Sequence, residues 1–114
     1  MNQRSERVAE LIHRQLSGII SFEMRDPRIK EITITNVTLT PDLQMAKVYF
    51  TWPGPEISRK EIRTILNRAG SFFRAKLTEK VELKYIPQIH FYYDDSQSAM
   101  QRMEDLFKEI KGGE

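Results

Sequence analysis

Apolar residues in this chain repeat with two different periods, and the order in which those periods follow one another constrains the fold more than any single motif. From Glu6 to Met24, Val8, Leu11, Ile12, Leu16, Ile19 and Ile20 recur at three- and four-residue spacing, which predicts an amphipathic helix. Pro27, within Arg25-Asp26-Pro27-Arg28, ends it, because the residue before a proline is pushed out of the α region. Ile32 to Thr40 is rich in Ile, Val and Thr and predicts a strand. Its apolar phase slips between Ile34 and Val37, so a bulge is expected near Asn36. "TPDLQ" at 40–44 reads as a turn, and Ala46, Val48, Phe50 and Trp52 then alternate with Lys47, Tyr49 and Thr51 as a half-buried strand paired back in a hairpin.

"PGP" at 53–55 breaks the chain before Ser58-Arg59-Lys60-Glu61, whose spacing is that of a capping box and predicts a helix from Ser58. Its apolar face is Ile62, Ile65, Leu66, Ala69, Phe73 and Leu77, interrupted at Gly70. Ile89, Phe91 and Tyr93 predict a third strand, with Pro87 tolerable at its start or on an edge. A last helix from about Ser96 is expected to bury Met100, Met103, Leu106, Phe107 and Ile110, and to stop at "KGGE", residues 111–114, a candidate disordered tail. Helices must then cover one face of a three-stranded sheet, an α+β arrangement. Without a linker or internal repeat, residues 1–114 read as a single domain, long enough to bury roughly 65% of its unfolded surface.

Charge locates the functional surface. The net charge is only +2, but residues 58–84 carry eight basic and three acidic side chains, whereas 1–57 balance and 85–114 are net acidic. The positive excess therefore lies on the segment that contains Gly70. Glycine costs about 1 kcal/mol against alanine inside a helix. Two readings of it stand: a kink or close backbone approach in a crowded core, or backbone amides opened to phosphate. Lys60, Arg63, Asn67, Gly70 and Arg74 form one stripe at helical spacing, with Ser71 beside it, and no acid interrupts that stripe. Such a row suits a phosphate backbone, with long cations neutralising charge and a residue without a side chain admitting close approach. Phe72, Phe73, Tyr49, Tyr92 and Tyr93 could stack on bases, but aromatics at these spacings are more often core or sheet filler. Folded or double-stranded RNA therefore fits better than a single strand.

Catalytic motifs are scarce. His13 and His90 have no metal-ligand partner at useful spacing, and Asp94 and Asp95 in "YDDS" read first as helix caps. There is no phosphate-binding glycine loop and no nucleophile elbow. With zero cysteines and no apolar run approaching a membrane span, a soluble protein of a reducing, cytoplasmic compartment is expected.

Four stretches, read together, resemble one known family. "RSERVAELIHRQLSGII" is similar to the first helix of bacterial ribosome-binding factor A, "RDPRI" to its helix exit, "TPDLQMAKVYF" to its hairpin and second strand, and "YIPQIHFYYDDS" to its third strand and the entry to its last helix. The order of Asp-Pro-Arg, Pro-Asp-Leu with Ala-x-Val-Tyr, and Tyr-Asp-Asp-Ser makes the resemblance specific, and it spans essentially the whole chain.

The resemblance implies a type-II KH-like domain of order α-β-β-α(kink)α-β-α. KH domains of the usual kind clamp single strands with Gly-x-x-Gly, which this chain lacks. The family instead has an Ala-x-Gly kink; here Arg68-Ala69-Gly70 keeps the glycine but not the first alanine, and Arg68 is expected to add a phosphate contact. The implied activity is non-enzymatic. The protein would bind the free small ribosomal subunit late in maturation, contact its RNA near the decoding region, assist end processing and leave before translation, with most importance in the cold. Lys60, Arg63, Arg68, Arg74, Lys76 and Lys80, with Gly70, are the expected RNA contacts, and Arg4, Arg7, Arg25 and Arg28 a second tier. No cofactor, metal or membrane is implied, and the protein is expected to act as a monomer. Two other classes stay open: a module docking an acidic protein through the basic face, and a small hydrolase using a metal on Asp94 and Asp95.

Overall fold

The computed structural model describes residues 3–95 together with 103 and 104. The first helix, α1 (Gln3–Phe22), starts a turn earlier than its apolar pattern and buries Ala9, Ile12, Leu16, Ile19 and Ile20. Pro27 does more than stop it. The Asp26 carboxylate accepts from the Arg28 amide at 2.9 Å, and Pro27, with no amide to lose, opens a one-turn helix, α2 (Pro27–Lys30). That turn drops Ile29 fully into the core.

Strands β1 (Thr33–Leu39) and β2 (Met45–Thr51) pair antiparallel, and β3 (Gln88–Tyr93) lies parallel to β2, in the order β1-β2-β3. The expected bulge is present: register shifts between Ile34 and Asn36, leaving Thr35 without a register partner, so that Ile34 and Val37 both turn inward. In the hairpin turn, Leu43 takes a left-handed φ of 61°, held by Asp42, whose carboxylate accepts from the Thr40 hydroxyl (2.7 Å) and the Gln44 amide (3.1 Å). One sheet face alternates Ala46, Val48, Phe50 and Trp52 into the core, while Lys47, Tyr49 and Thr51 stay half-exposed on the other.

A parallel strand needs a crossover, and here it is helical: α3 (Arg59–Arg68) and α4 (Gly70–Lys80). Ile62, Leu66, Phe73 and Leu77 from this pair are fully buried, and Phe73 meets Phe91 at 5.3 Å between ring centres. Among the described residues the order is α-α-β-β-α-α-β with helices packed on one sheet face, the expected α+β, KH-like arrangement with the one-turn α2 added; the expected last helix lies largely outside the described residues.

Two local expectations are corrected. The capping box does not form: Ser58 is already helical (φ −92°, ψ −3°) and its side chain makes no cap bond. A 3-10 turn, Glu56–Ser58, precedes α3, with extended Pro55 at its head. A box needs its serine extended, and Glu61 is turned to Arg28 at 3.4 Å instead. Met103 is helical but 61% exposed, not buried. Ser96, Met100, Leu106, Phe107, Ile110 and the 111–114 tail lie outside the described residues. No described helix is long and apolar enough to cross a membrane.

Candidate nucleic-acid interface

The break between α3 and α4 falls at Ala69, which closes one helix and opens the next with φ −85° and ψ 10°. Its amide donates to both Ile65 O and Leu66 O at 3.1 Å, and its carbonyl accepts from the Phe73 amide at 3.0 Å, so the two helices bend without separating. Gly70 is the first residue of α4 and has no positive φ. A methyl group added to it would sit 3.9 Å from Ile89 O, an ordinary contact. Neither a left-handed backbone nor a steric collision therefore demands glycine over alanine here.

The predicted stripe divides in two. Arg63 and Asn67 are turned toward the outer edge of β3, and Arg74 toward the segment that leads into it. Arg63 Nε donates to Phe91 O at 2.9 Å, the Asn67 amide donates to the same oxygen at 3.3 Å and accepts from the Phe91 amide at 2.8 Å, and Arg74 Nη2 donates to Ile86 O at 3.0 Å. Strand β3 is an edge, and its ladder to β2 continues through the Gln88 and Asp94 amides, donating to Gln44 O and Phe50 O. Phe91 presents its backbone groups the other way, and side chains from α3 stand in for the missing strand. Arg63 also lies 4.9 Å over the Tyr92 ring, and Arg59 lies 4.2 Å over Tyr93.

Of the remaining members, Lys60 faces solvent and Gly70 is half-buried. Lys60, Arg63, Thr64, Asn67 and Arg68 line a surface hollow of about 360 Å³ along α3. Lys60 and Arg68 are exposed and, among the described residues, make no ion pair. The Thr64 hydroxyl donates to Lys60 O at 2.9 Å, keeping the floor of the hollow on the helix. An anion settling there meets two uncommitted cations on a helix that is itself pinned to the sheet.

The other candidate cations are placed elsewhere. Lys76 and Lys80 project from α4 toward the end of α1 and grip Glu23 at 3.3 and 3.2 Å. The hydrogen bond from Lys80, with Lys76 adding to it, holds the Glu23 carboxyl below its usual range despite some desolvation. Arg28 bonds Asp26 (3.0 Å) and Glu61 (3.4 Å), which ties α2 to α3 and lowers Asp26 chiefly through the side-chain bond. Arg4 and Arg7 are exposed on the first turns of α1, and Arg25 is exposed just beyond its end. Asp94 accepts from the Thr35 hydroxyl, linking the far end of β3 to the bulge in β1. His13 Nε2 lies 3.0 Å from Ile34 O, the ring N–H donating, and so fastens α1 to the same bulge.

The comparisons with known proteins agree with this architecture. The family model described as Ribosome-binding factor A matches residues 4–107. A ribosome-binding factor A from Trichlorobacter lovleyi is 42% identical over 112 residues, covering 98% of this chain and 91% of its own. The crystal structure of ribosome-binding factor A from Thermus thermophilus superposes with a TM-score of 0.69 at 24% identity, covering 78% of this chain and 94% of its own, a likeness of fold. Thermus thermophilus ribosome binding factor A as fitted into a cryo-EM map of a 30S complex matches with a TM-score of 0.62 at 25% identity, covering 74% of this chain and 88% of its own. With a family match across most of its length and near-complete alignment to a relative at that level of identity, the chain belongs to the ribosome-binding factor A family.

Proposed function

We propose that this protein is a non-enzymatic assembly factor that binds the free small ribosomal subunit late in its maturation and contacts ribosomal RNA near the decoding region with the exposed face of α3. The observation that carries this reading is the hollow lined by Lys60, Arg63 and Arg68, in which Lys60 and Arg68 are exposed with no ion pair among the described residues. Two further facts support it: the family membership, and the Thermus relative's fitting into a 30S complex. Arg7 and Arg25 offer further exposed cations from α1 and its exit, whereas Arg74 is turned to Ile86 O. Lys76, Lys80 and Arg28 serve the fold first, since each already holds a carboxylate.

The mechanism follows from a rigid face. A domain that fits one arrangement of the RNA better than another shifts the population toward it by the difference in affinity, and is displaced once the mature arrangement forms. Assistance to RNA end processing, with its greatest weight in the cold, where misfolded RNA escapes slowly, is the consequence we assign to that shift. The protein acts in the cytoplasm as a single-domain monomer without a cofactor.

Sedimentation with isolated small subunits, large subunits and joined ribosomes across a salt series tests the reading. Selective co-migration with free small subunits, weakening as salt rises, is expected. Absence from small subunits at low salt, from a folded sample, would overturn it. Retention of an acidic protein partner after RNase treatment, with no subunit binding, would favour a protein-docking module instead.

A further inference from the structure

Nine of the eleven isoleucines among the described residues are buried and Ile65 is half-buried against the core, but Ile57 stands 92% exposed. Its loop is built to hold it there. Trp52 Nε1 donates to Arg28 O at 3.1 Å, and the indole covers Gly54 so closely that a Cβ there would lie 2.1 Å from the ring. Pro53 and Pro55 fix two more φ angles, and the Ser58 amide donates to Pro55 O at 3.0 Å. Ile57 then lies in the 3-10 turn that runs into α3 through helical Ser58 and Arg59. At helical spacing Ile57, Lys60, Thr64 and Arg68 share a face, and the last three line the hollow.

We infer that Ile57 is an apolar anchor for RNA, packing on a base or ribose surface beside the phosphates that Lys60 and Arg68 neutralise. This rests on the RNA-face reading above and adds to it a contact that is not electrostatic. Apolar wedges beside basic side chains are a recurring way for proteins to engage a nucleic-acid step. The two acids nearby are already compensated, Glu56 by Arg59 at 3.9 Å and Glu61 by Arg28 at 3.4 Å. A protein partner fits less well, because binding hot spots cluster and the other exposed large apolar side chains among the described residues, Phe22, Phe72, Tyr85 and Met103, all lie outside α3 and its leading turn. A rigid apolar tip among cations matches a stacked, anionic polymer.

The test compares wild type, Ile57→Ala and Lys60→Glu for binding to isolated small subunits over a salt series. The alanine variant is expected to bind about five- to tenfold more weakly at every salt concentration. Its salt slope should equal that of wild type, because an apolar contact releases no counterions, whereas Lys60→Glu should flatten the slope. A photo-crosslinking residue at position 57 should capture RNA. Wild-type affinity in Ile57→Ala, or crosslinks to ribosomal proteins only, would overturn the anchor while leaving the function standing. Failure of the wild type itself to co-sediment would remove both.

Discussion

Asn67 and Phe91 exchange two hydrogen bonds, the carboxamide accepting from the Phe91 amide at 2.8 Å and donating to its carbonyl at 3.3 Å. A helix side chain thereby does for β3 what a fourth strand would do. Replacing Asn67 with Leu leaves the Phe91 amide without its acceptor, while the carbonyl keeps its bond from Arg63, and should lower unfolding free energy by about 1–3 kcal/mol. Urea denaturation at constant m-value checks this, and a variant as stable as wild type would show that water seals the edge equally well.

Gly70→Ala should be neutral to stabilising, by up to about 1 kcal/mol, because the added methyl meets only Ile89 O at 3.9 Å. Gly54→Ala should do the reverse, since its Cβ would collide with the Trp52 ring. Thermal unfolding of the two variants side by side reads the contrast. If Gly70→Ala also weakens subunit binding while the fold gains stability, the glycine admits the RNA backbone.

Acid should loosen the clamp between α1 and α4. Glu23, Asp26 and Asp42 all have carboxyl groups lowered by their hydrogen-bond partners, Lys80, Arg28 and Thr40 respectively. A folded value below the unfolded one means that the stabilisation is fully present above the ordinary values of 4.5 for Glu and 3.8 for Asp, and is lost as pH falls through the lowered ones. Melting temperature should therefore drop steeply below that range. Glu23→Gln should show a shallower acid limb, measured by circular dichroism from pH 7 downward.

Charge reversal should separate binding cations from structural ones. Lys60→Glu with Arg68→Glu is expected to reduce the salt slope of subunit binding by about one unit for each phosphate that is no longer neutralised. Lys80→Glu places like charges beside Glu23 and should lower stability with little change in the slope. Equal slopes in both variants would remove the assignment of the α3 face.

Phe73 is fully buried and packs its ring 5.3 Å from that of Phe91. Phe73→Ala should cost about 3–5 kcal/mol. Chemical denaturation gives the value directly.

Local periodicity is enough to define every helix and strand of the described core except the one-turn α2 and the 3-10 turn Glu56–Ser58, because spacings of two and of three to four residues report burial on one face. The bulge at Thr35 is legible for the same reason, as a slip in apolar phase. The family is legible in the order of its motifs, and the basic excess of residues 58–84 falls on the α3–α4 pair. Helix spacing, however, cannot say what lies across from a polar stripe. Arg63, Asn67 and Arg74 look identical in sequence whether they meet solvent, phosphate or a strand edge, and only the parallel placement of β3 beside them turns them toward Phe91 and Ile86. Lys76 and Lys80 likewise read as binding cations by charge alone, whereas packing of α1 on α4 brings Glu23 between them. Ser58 loses its capping role to a turn begun by Pro55, which no spacing rule weighs. Composition and period thus determined which faces are apolar and where positive charge accumulates. Tertiary contact alone decided which of those charges are spent inside the fold and which remain for a partner, because hydrogen-bond and ion-pair partners come from residues far apart in the chain.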